Sequence, residues 1–296
     1  MTSHQRLSLN QASIKYAALG EALTVTAEAG ISAIGLWREP VAAVGLAKAV
    51  GLVSNAGLRV SSLCRGGFVT APGQSARADA LAENRRAIEE TAALAAAGAE
   101  GSAAVLVLVA GGLPATDTDL NGARERAQDA IGALVDDATA AGVTLAIEPM
   151  HPMYAADRGV ISTLRQALDI AAPFPAHTVG VVVDAFHVWW DPEVFDQIAR
   201  AGAEHRIASY QVNDWITPLP VDSLLARGIM GDGHIDLRAL TEAVEVAGYT
   251  GDVEVEIFNQ DLWNMPYGQA AAMISERFDD IGLSYGSIRP PNQRHS

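Results

Sequence analysis

The nine residues Ala141-Gly142-Val143-Thr144-Leu145-Ala146-Ile147-Glu148-Pro149 hold the repeating unit of the fold. An Ala-Gly pair stops a helix, an apolar, β-rich run follows, and an acid stands where the run ends. Glycine suits the left-handed residue that closes a helix. The same pair recurs at Ala29-Gly30, Ala56-Gly57, Ala97-Gly98, Ala201-Gly202 and Ala247-Gly248, each after a helix-like stretch. The apolar runs that follow are Ile31–Trp37, Leu58–Leu63, Val105–Ala110, Val143–Pro149, Ile207–Val212 and Val253–Phe258, and Leu7–Asn10 and Val179–Asp184 bring the count to eight. Between them the spacing of Ala, Leu and Ile predicts amphipathic helices, most clearly over Arg77–Ala97 and Arg124–Ala141. Strands alternating with helices pair in parallel, and several of these strands read as continuous apolar runs, as burial on both faces requires. Eight such units in 296 residues predict a single (β/α)8 TIM barrel of class α/β over residues 1–285. A doubly wound open sheet is the alternative. The first strand is followed by Asn10-Gln11-Ala12-Ser13, which lacks the glycines that cradle a dinucleotide phosphate. The tail 286–296, with Pro290-Pro291, is expected to be flexible.

Composition narrows the partners. Hydrophobic residues make up 49% and charged residues 19%, enough for a large core. The net charge of -15 opposes binding to nucleic acid and to anionic membrane surfaces. The single cysteine, Cys64, excludes an intramolecular disulfide. No apolar run is long enough to span a bilayer, and the N-terminus lacks a secretory apolar segment, so a cytoplasmic location is expected. A homo-oligomer and a hetero-oligomer with a small subunit both remain open.

In a barrel, chemistry sits where strands end. The fifth strand ends at Glu148 and the sixth at Asp184; the eighth carries Glu254 and Glu256 on one side, with Glu256 nearer its C-terminal end. The seventh ends Tyr210-Gln211-Val212-Asn213-Asp214-Trp215. A buried carboxylate must be paired, metal-bound or protonated. Three of them in one mouth repel unless a cation neutralises them, and oxygen ligands suit Mn²⁺ or Mg²⁺. Glu254 lies roughly 6.6 Å deeper and is expected to pair inside the barrel rather than to touch a metal. His151 and His187, three residues past Glu148 and Asp184, can reach the same mouth, and so can Arg38 and Arg65 after the second and third strands. Trp37, Trp189, Trp190, Trp215 and Trp263 stand at or just past strand ends, where indole faces suit stacking on sugar rings. No cluster of Arg or Lys marks a phosphate pocket, so an unphosphorylated substrate is favoured.

The pieces Ile147-Glu148-Pro149, Asp184-Ala185-Phe186-His187, Asn213-Asp214, Met230-Gly231-Asp232-Gly233-His234-Ile235-Asp236 and Glu256-Ile257-Phe258 resemble the xylose isomerase-like barrel superfamily of sugar phosphate isomerases and epimerases. The resemblance implies a divalent metal on Glu148, Asp184 and Glu256, with Gln211 where that family has a histidine. It implies Glu148 and Glu256 as an acid/base pair that moves a proton next to a carbonyl through a metal-stabilised enediolate. His151, His187, Trp37, Arg38, Arg65, Asn213 and Trp215 are then expected to bind the sugar or polyol substrate. The family's acid in the second strand is absent, since Gly35-Leu36-Trp37 stands there. The leading expectation is an isomerase or epimerase of a sugar or inositol-type ketone. An alternative is a lyase that cleaves 3-keto glycosides by enolate formation and elimination, similar to the C-glycoside deglycosidases. A non-catalytic sugar-binding barrel is a third, and an endonuclease of the superfamily is opposed by the charge.

Overall fold

A computed structural model describes residues 6–115 and 117–283. The expected tail 286–296 lies outside the described residues. Among the described residues there are ten strands: β1 (Leu7–Asn10), β2 (Ala33–Trp37), β3 (Arg59–Gly67), β4 (Val105–Val109), β5 (Thr144–Ile147), β6 (Val179–Asp184), β7 (Ile207–Val212), β8 (Asp214–Trp215), β9 (Arg227–Gly228) and β10 (Val253–Val255). Eight of them close a parallel barrel in the order β1-β10-β7-β6-β5-β4-β3-β2. Closure is made by β1 on β10, with Leu7, Ser8 and Leu9 opposite Val253, Glu254 and Val255. That pairing excludes the open sheet. The short β8 and β9 form a separate antiparallel ribbon.

The two-residue period of a strand sorts side chains into two layers. On β4, Leu106 and Leu108 join the large core between barrel and helices, while Val105 and Val107 pack with Cys64, Ala146 and Val182 in a smaller cluster. On β5 and β6, Leu145, Ile147, Val181 and Val183 belong to the outer core and Ala146 and Val182 to the inner cluster. Two residues beyond Ala146 and Val182 are Glu148 and Asp184. On β7 and β10 the outer core takes Tyr210, Val212, Val253 and Val255. Gln211, Glu254 and Glu256 are therefore left to the inside. One alternation puts all of these polar groups on the barrel axis.

Helix ends follow the expected punctuation in part. Gly30, Gly57, Gly142 and Gly248 have φ between 66° and 89°. Gly98 is extended, and Gly202 lies inside the helix Val194–Ala203. A Cβ on Gly202 would meet the Ala247 carbonyl oxygen at 2.4 Å, so this glycine permits close helix packing instead. The positive φ after that helix falls on His205. The helix expected over Arg124–Ala141 is two helices, Leu120–Gly132 and Val135–Ala141. Gly132 weakens the join, and Ala133 and Leu134 turn the chain between them.

Candidate active site

The polar interior has two storeys. The lower one centres on Glu254, which is buried. Its carboxylate accepts from Asn10 Nδ2 at 2.5 Å, Ser61 Oγ at 2.6 Å, Ser62 Oγ at 2.9 Å and Gln211 Nε2 at 3.3 Å. Burial pushes its proton affinity up, and the Ser61, Asn10 and Ser62 hydrogen bonds pull it back. Gly35 makes room for it: a Cβ there would sit 2.5 Å from Glu254 Oε1. With its Nε2 given to Glu254, Gln211 has a buried Oε1 without a hydrogen-bond partner.

The upper storey gathers Glu148, Asp184, His187, Glu256 and Arg227, all buried. Glu148 and Glu256 stand just past β5 and β10, and their N–H groups extend the ladders by donating to Leu108 and Val212 carbonyls. Ligand atoms of Glu148, Asp184 and His187 lie within 4.8 Å of one another. Asp184 Oδ1 accepts from the Phe186 N–H at 2.8 Å and from Asn213 Nδ2 at 3.3 Å. Arg227 Nη1 donates to Glu256 Oε2 at 2.5 Å and to Asp184 Oδ2 at 3.2 Å, and Nη2 lies 3.0 Å from His187 Nε2. The His187 Nδ1 accepts from the His151 N–H at 3.0 Å. A neutral imidazole has one free lone pair. His187 can therefore accept from the His151 N–H or from Arg227 Nη2, according to its tautomer, and not from both.

Burial raises the proton affinity of Glu148 well above the ordinary carboxylate range, and repulsion from Glu256 and Asp184 adds to it. Glu256 is pushed up to about 7 by burial, against the pull of Arg227. Asp184 also rises by burial, offset by Arg227. Burial and the Arg227 charge hold His187 well below its usual range. Three carboxylates facing one guanidinium would leave two negative charges if all ionised, which the low-dielectric interior resists. The convergent group that fits a divalent cation is Glu148, Asp184 and His187, which carries more negative charge than Arg227 offsets; Glu256 lies outside that group, with its Oε2 given to Arg227.

Above this lies a cavity of about 750 Å³, with Glu148, Glu256 and Arg227 at its inner end and Trp37, Arg65 and Phe68 further out. Trp37 and Arg65, both singled out in the sequence, line it. Arg38, His151, His187, Asn213 and Trp215 are not among its lining residues. Arg38 turns to the helix Gln74–Ala97, where Glu90 and Glu83 take its guanidinium. Trp215 stacks on Phe186 at 4.8 Å and meets His151 at 5.0 Å. Burial lowers the His151 pKa to about 4. Asn213 serves Asp184, and His187 serves the buried cluster.

Arg227, which the motifs did not indicate, is brought in by the β8–β9 ribbon. Asp214 fixes that excursion by accepting from the Trp215, Gly231 and Ile235 N–H groups at 2.8–3.0 Å, and Asn259 Nδ2 holds the Arg227 carbonyl at 3.0 Å.

A closed parallel barrel with buried carboxylates at the C-terminal ends of its strands defines the class of protein. The xylose isomerase-like TIM barrel family model matches residues 23–277, and the chain belongs to that family. Inosose isomerase of Bacillus subtilis (strain 168) is 26% identical over 163 residues, 54% of this chain and 56% of that enzyme, so the match spans about half of each. The crystal structure of protein SMc04130 from Sinorhizobium meliloti 1021 is 45% identical, with a TM-score of 0.88, covering 94% of this chain and 98% of that one. The IOLI protein, solved with a zinc atom, superposes with a TM-score of 0.77 at 20% identity, over 96% of this chain and 100% of that one. No described helix is long and apolar enough to cross a membrane.

Proposed function

We propose that this chain is a divalent-metal-dependent isomerase or epimerase of a sugar or inositol-type ketone. The observation that carries the reading is the pair Glu148 and Glu256, two buried carboxylates facing one cavity beside Arg227. Glu148, Asp184 and Glu256 would hold the metal, with Gln211 Oε1 as a further oxygen; the ion supplies Lewis-acid polarisation of a substrate oxygen. Mn²⁺ or Mg²⁺ suits that all-oxygen set. One glutamate takes the proton from the carbon next to the carbonyl, and the other returns a proton to the product. Burial raises both proton affinities in the metal-free chain, and a bound cation would lower them again, leaving a carboxylate able to accept the proton. Arg227 faces the negative charge that develops on the substrate oxygen. The similarity to inosose isomerase supports a cyclic polyol ketone among the candidates.

The test is metal analysis of the purified protein, then solvent deuterium incorporation with a panel of keto sugars and inososes. Exchange that needs the metal and disappears in Glu148→Gln and Glu256→Gln supports the reading. Full activity after chelation and in Glu256→Gln overturns it. The cavity, larger than one sugar ring needs, favours a second reading: elimination from a 3-keto glycoside after the same proton removal. Release of free aglycone separates it from isomerisation.

A further inference from the structure

Phe68 occupies a backbone conformation that its side chain disfavours. Its φ is +55°, in the left-handed region, yet the ring is 47% exposed. Such a residue is strained by its Cβ, and an exposed ring recovers little of that cost by burial. The turn itself is held by the backbone: the Phe68 N–H donates to the Val109 carbonyl and the Val69 N–H to the Ala110 carbonyl, both at 2.9 Å. A glycine at 68 would serve that turn with less strain. The ring therefore has a use other than the fold, and its place is the outer lining of the cavity.

The neighbours extend Phe68 into a wall. The Arg65 guanidinium carbon lies 4.8 Å from the Phe68 ring centroid and 5.6 Å from Trp37, bridging the two. Trp37 is pinned by its indole N–H to Asn10 Oδ1 at 2.8 Å and by Phe258 edge-on at 5.6 Å. Asn10 in turn donates to Glu254, so the wall is anchored in the barrel interior. Pro40, Ala43 and Leu224 add apolar lining. The cavity thus has two unlike ends: carboxylates and Arg227 within, and a pre-ordered aromatic wall without. Its volume of about 750 Å³ lies in the range that encloses a drug-sized ligand and exceeds what a single sugar ring fills.

We infer that the outer half of the cavity is a stacking subsite for a flat aromatic group, so that the substrate is a keto sugar or cyclitol carrying an aromatic substituent. The identity of the sugar half rests on the proposed function; the aromatic subsite does not. Arg65 against the rings favours an electron-rich partner, a phenol ring, through cation–π attraction.

The test is equilibrium binding by tryptophan fluorescence and ligand-observed NMR. The probes are phenyl β-D-glucoside, methyl β-D-glucoside and phenol. Phenyl glucoside should bind at least tenfold more tightly than methyl glucoside, and phenol alone should bind and compete with it. Phe68→Gly should remove the preference and weaken phenol, with the melting temperature unchanged or raised, because the substitution relieves strain. Equal affinities for the two glucosides, including no detectable binding of either, overturn the subsite, as does an unchanged preference in Phe68→Gly. None of these readouts needs metal or turnover. Loss of the isomerase reading in the deuterium experiment therefore leaves this result standing, and the reverse holds as well.

Discussion

Arg227 sits among Asp184, Glu256 and His187 as a cation supplied by the chain itself, 3% exposed. It offsets one of three carboxylate charges, and its guanidinium takes oxygens that a metal would use. Removing it has two opposite consequences. Arg227→Met leaves the buried carboxylates uncompensated and should destabilise the metal-free protein by about 3–5 kcal/mol. The same change removes a positive charge beside the proposed cation site and frees Glu256 and Asp184, so Mn²⁺ should bind at least tenfold more tightly. Calorimetric titration and melting with and without Mn²⁺ measure both effects. Weaker Mn²⁺ binding in the variant would mean that Arg227 holds the carboxylates in place rather than competing with the ion.

Gln211 gives a second expectation at this scale. Its amide nitrogen is committed to Glu254 and its oxygen is left free. A histidine in its place adds a nitrogen donor, which favours Zn²⁺ and Co²⁺ over Mg²⁺. Gln211→His should therefore shift a competition titration toward Zn²⁺ by tenfold or more. An unchanged ranking of metals would show that residue 211 does not touch the ion. The period-two pattern was enough to put Glu148, Asp184, Gln211 and Glu256 inside the barrel and to set Glu254 deeper. It could not name Arg227, which enters from a two-residue strand with no periodicity of its own. Nor could it find the strain at Phe68, because phenylalanine carries no signal for a positive φ.

At the scale of elements, most boundaries were legible because apolar runs and glycine stops coincide. The fifth and eighth strands are shorter than their apolar runs, ending at Ile147 and Val255. The departures have local causes: Gly132 divides a helix, and the contact of Gly202 with Ala247 overrides its role as a stop. The excursion from β8 to the helix Leu237–Val246 was the least legible, since Asp214 orders it through contacts with residues 231 and 235. Asp214→Ala leaves three N–H groups without that acceptor. It should cost about 1–3 kcal/mol and make residues 216–234 the first site of proteolysis and of fast hydrogen exchange. Activity should fall with it, because the same excursion carries Arg227. Unaltered exchange there would show that β8–β9 pairing alone fixes the excursion.

The whole molecule links the site to stability through charge. Glu148, Asp184 and Glu256 all bind protons more tightly in the folded chain than ordinary carboxylates do, Glu256 up to about 7. The metal-free fold therefore binds more protons than the unfolded chain between about pH 4.5 and 7. Stability contributed by these groups is present below the ordinary carboxylate range and is lost as pH rises through 7. The net charge of -15 adds general repulsion in the same direction. A divalent cation bound at the proposed site would take over from the protons and stabilise most where they have left. Melting temperature in chelator should fall by several degrees from pH 5.5 to pH 8, and Mn²⁺ should restore more of it at pH 8 than at pH 5.5. Glu256→Gln should flatten the chelator curve, because the amide stays neutral throughout. A chelator curve that rises over this range would mean that the carboxylates are already ionised in the metal-free fold, with Arg227 sufficient to hold them.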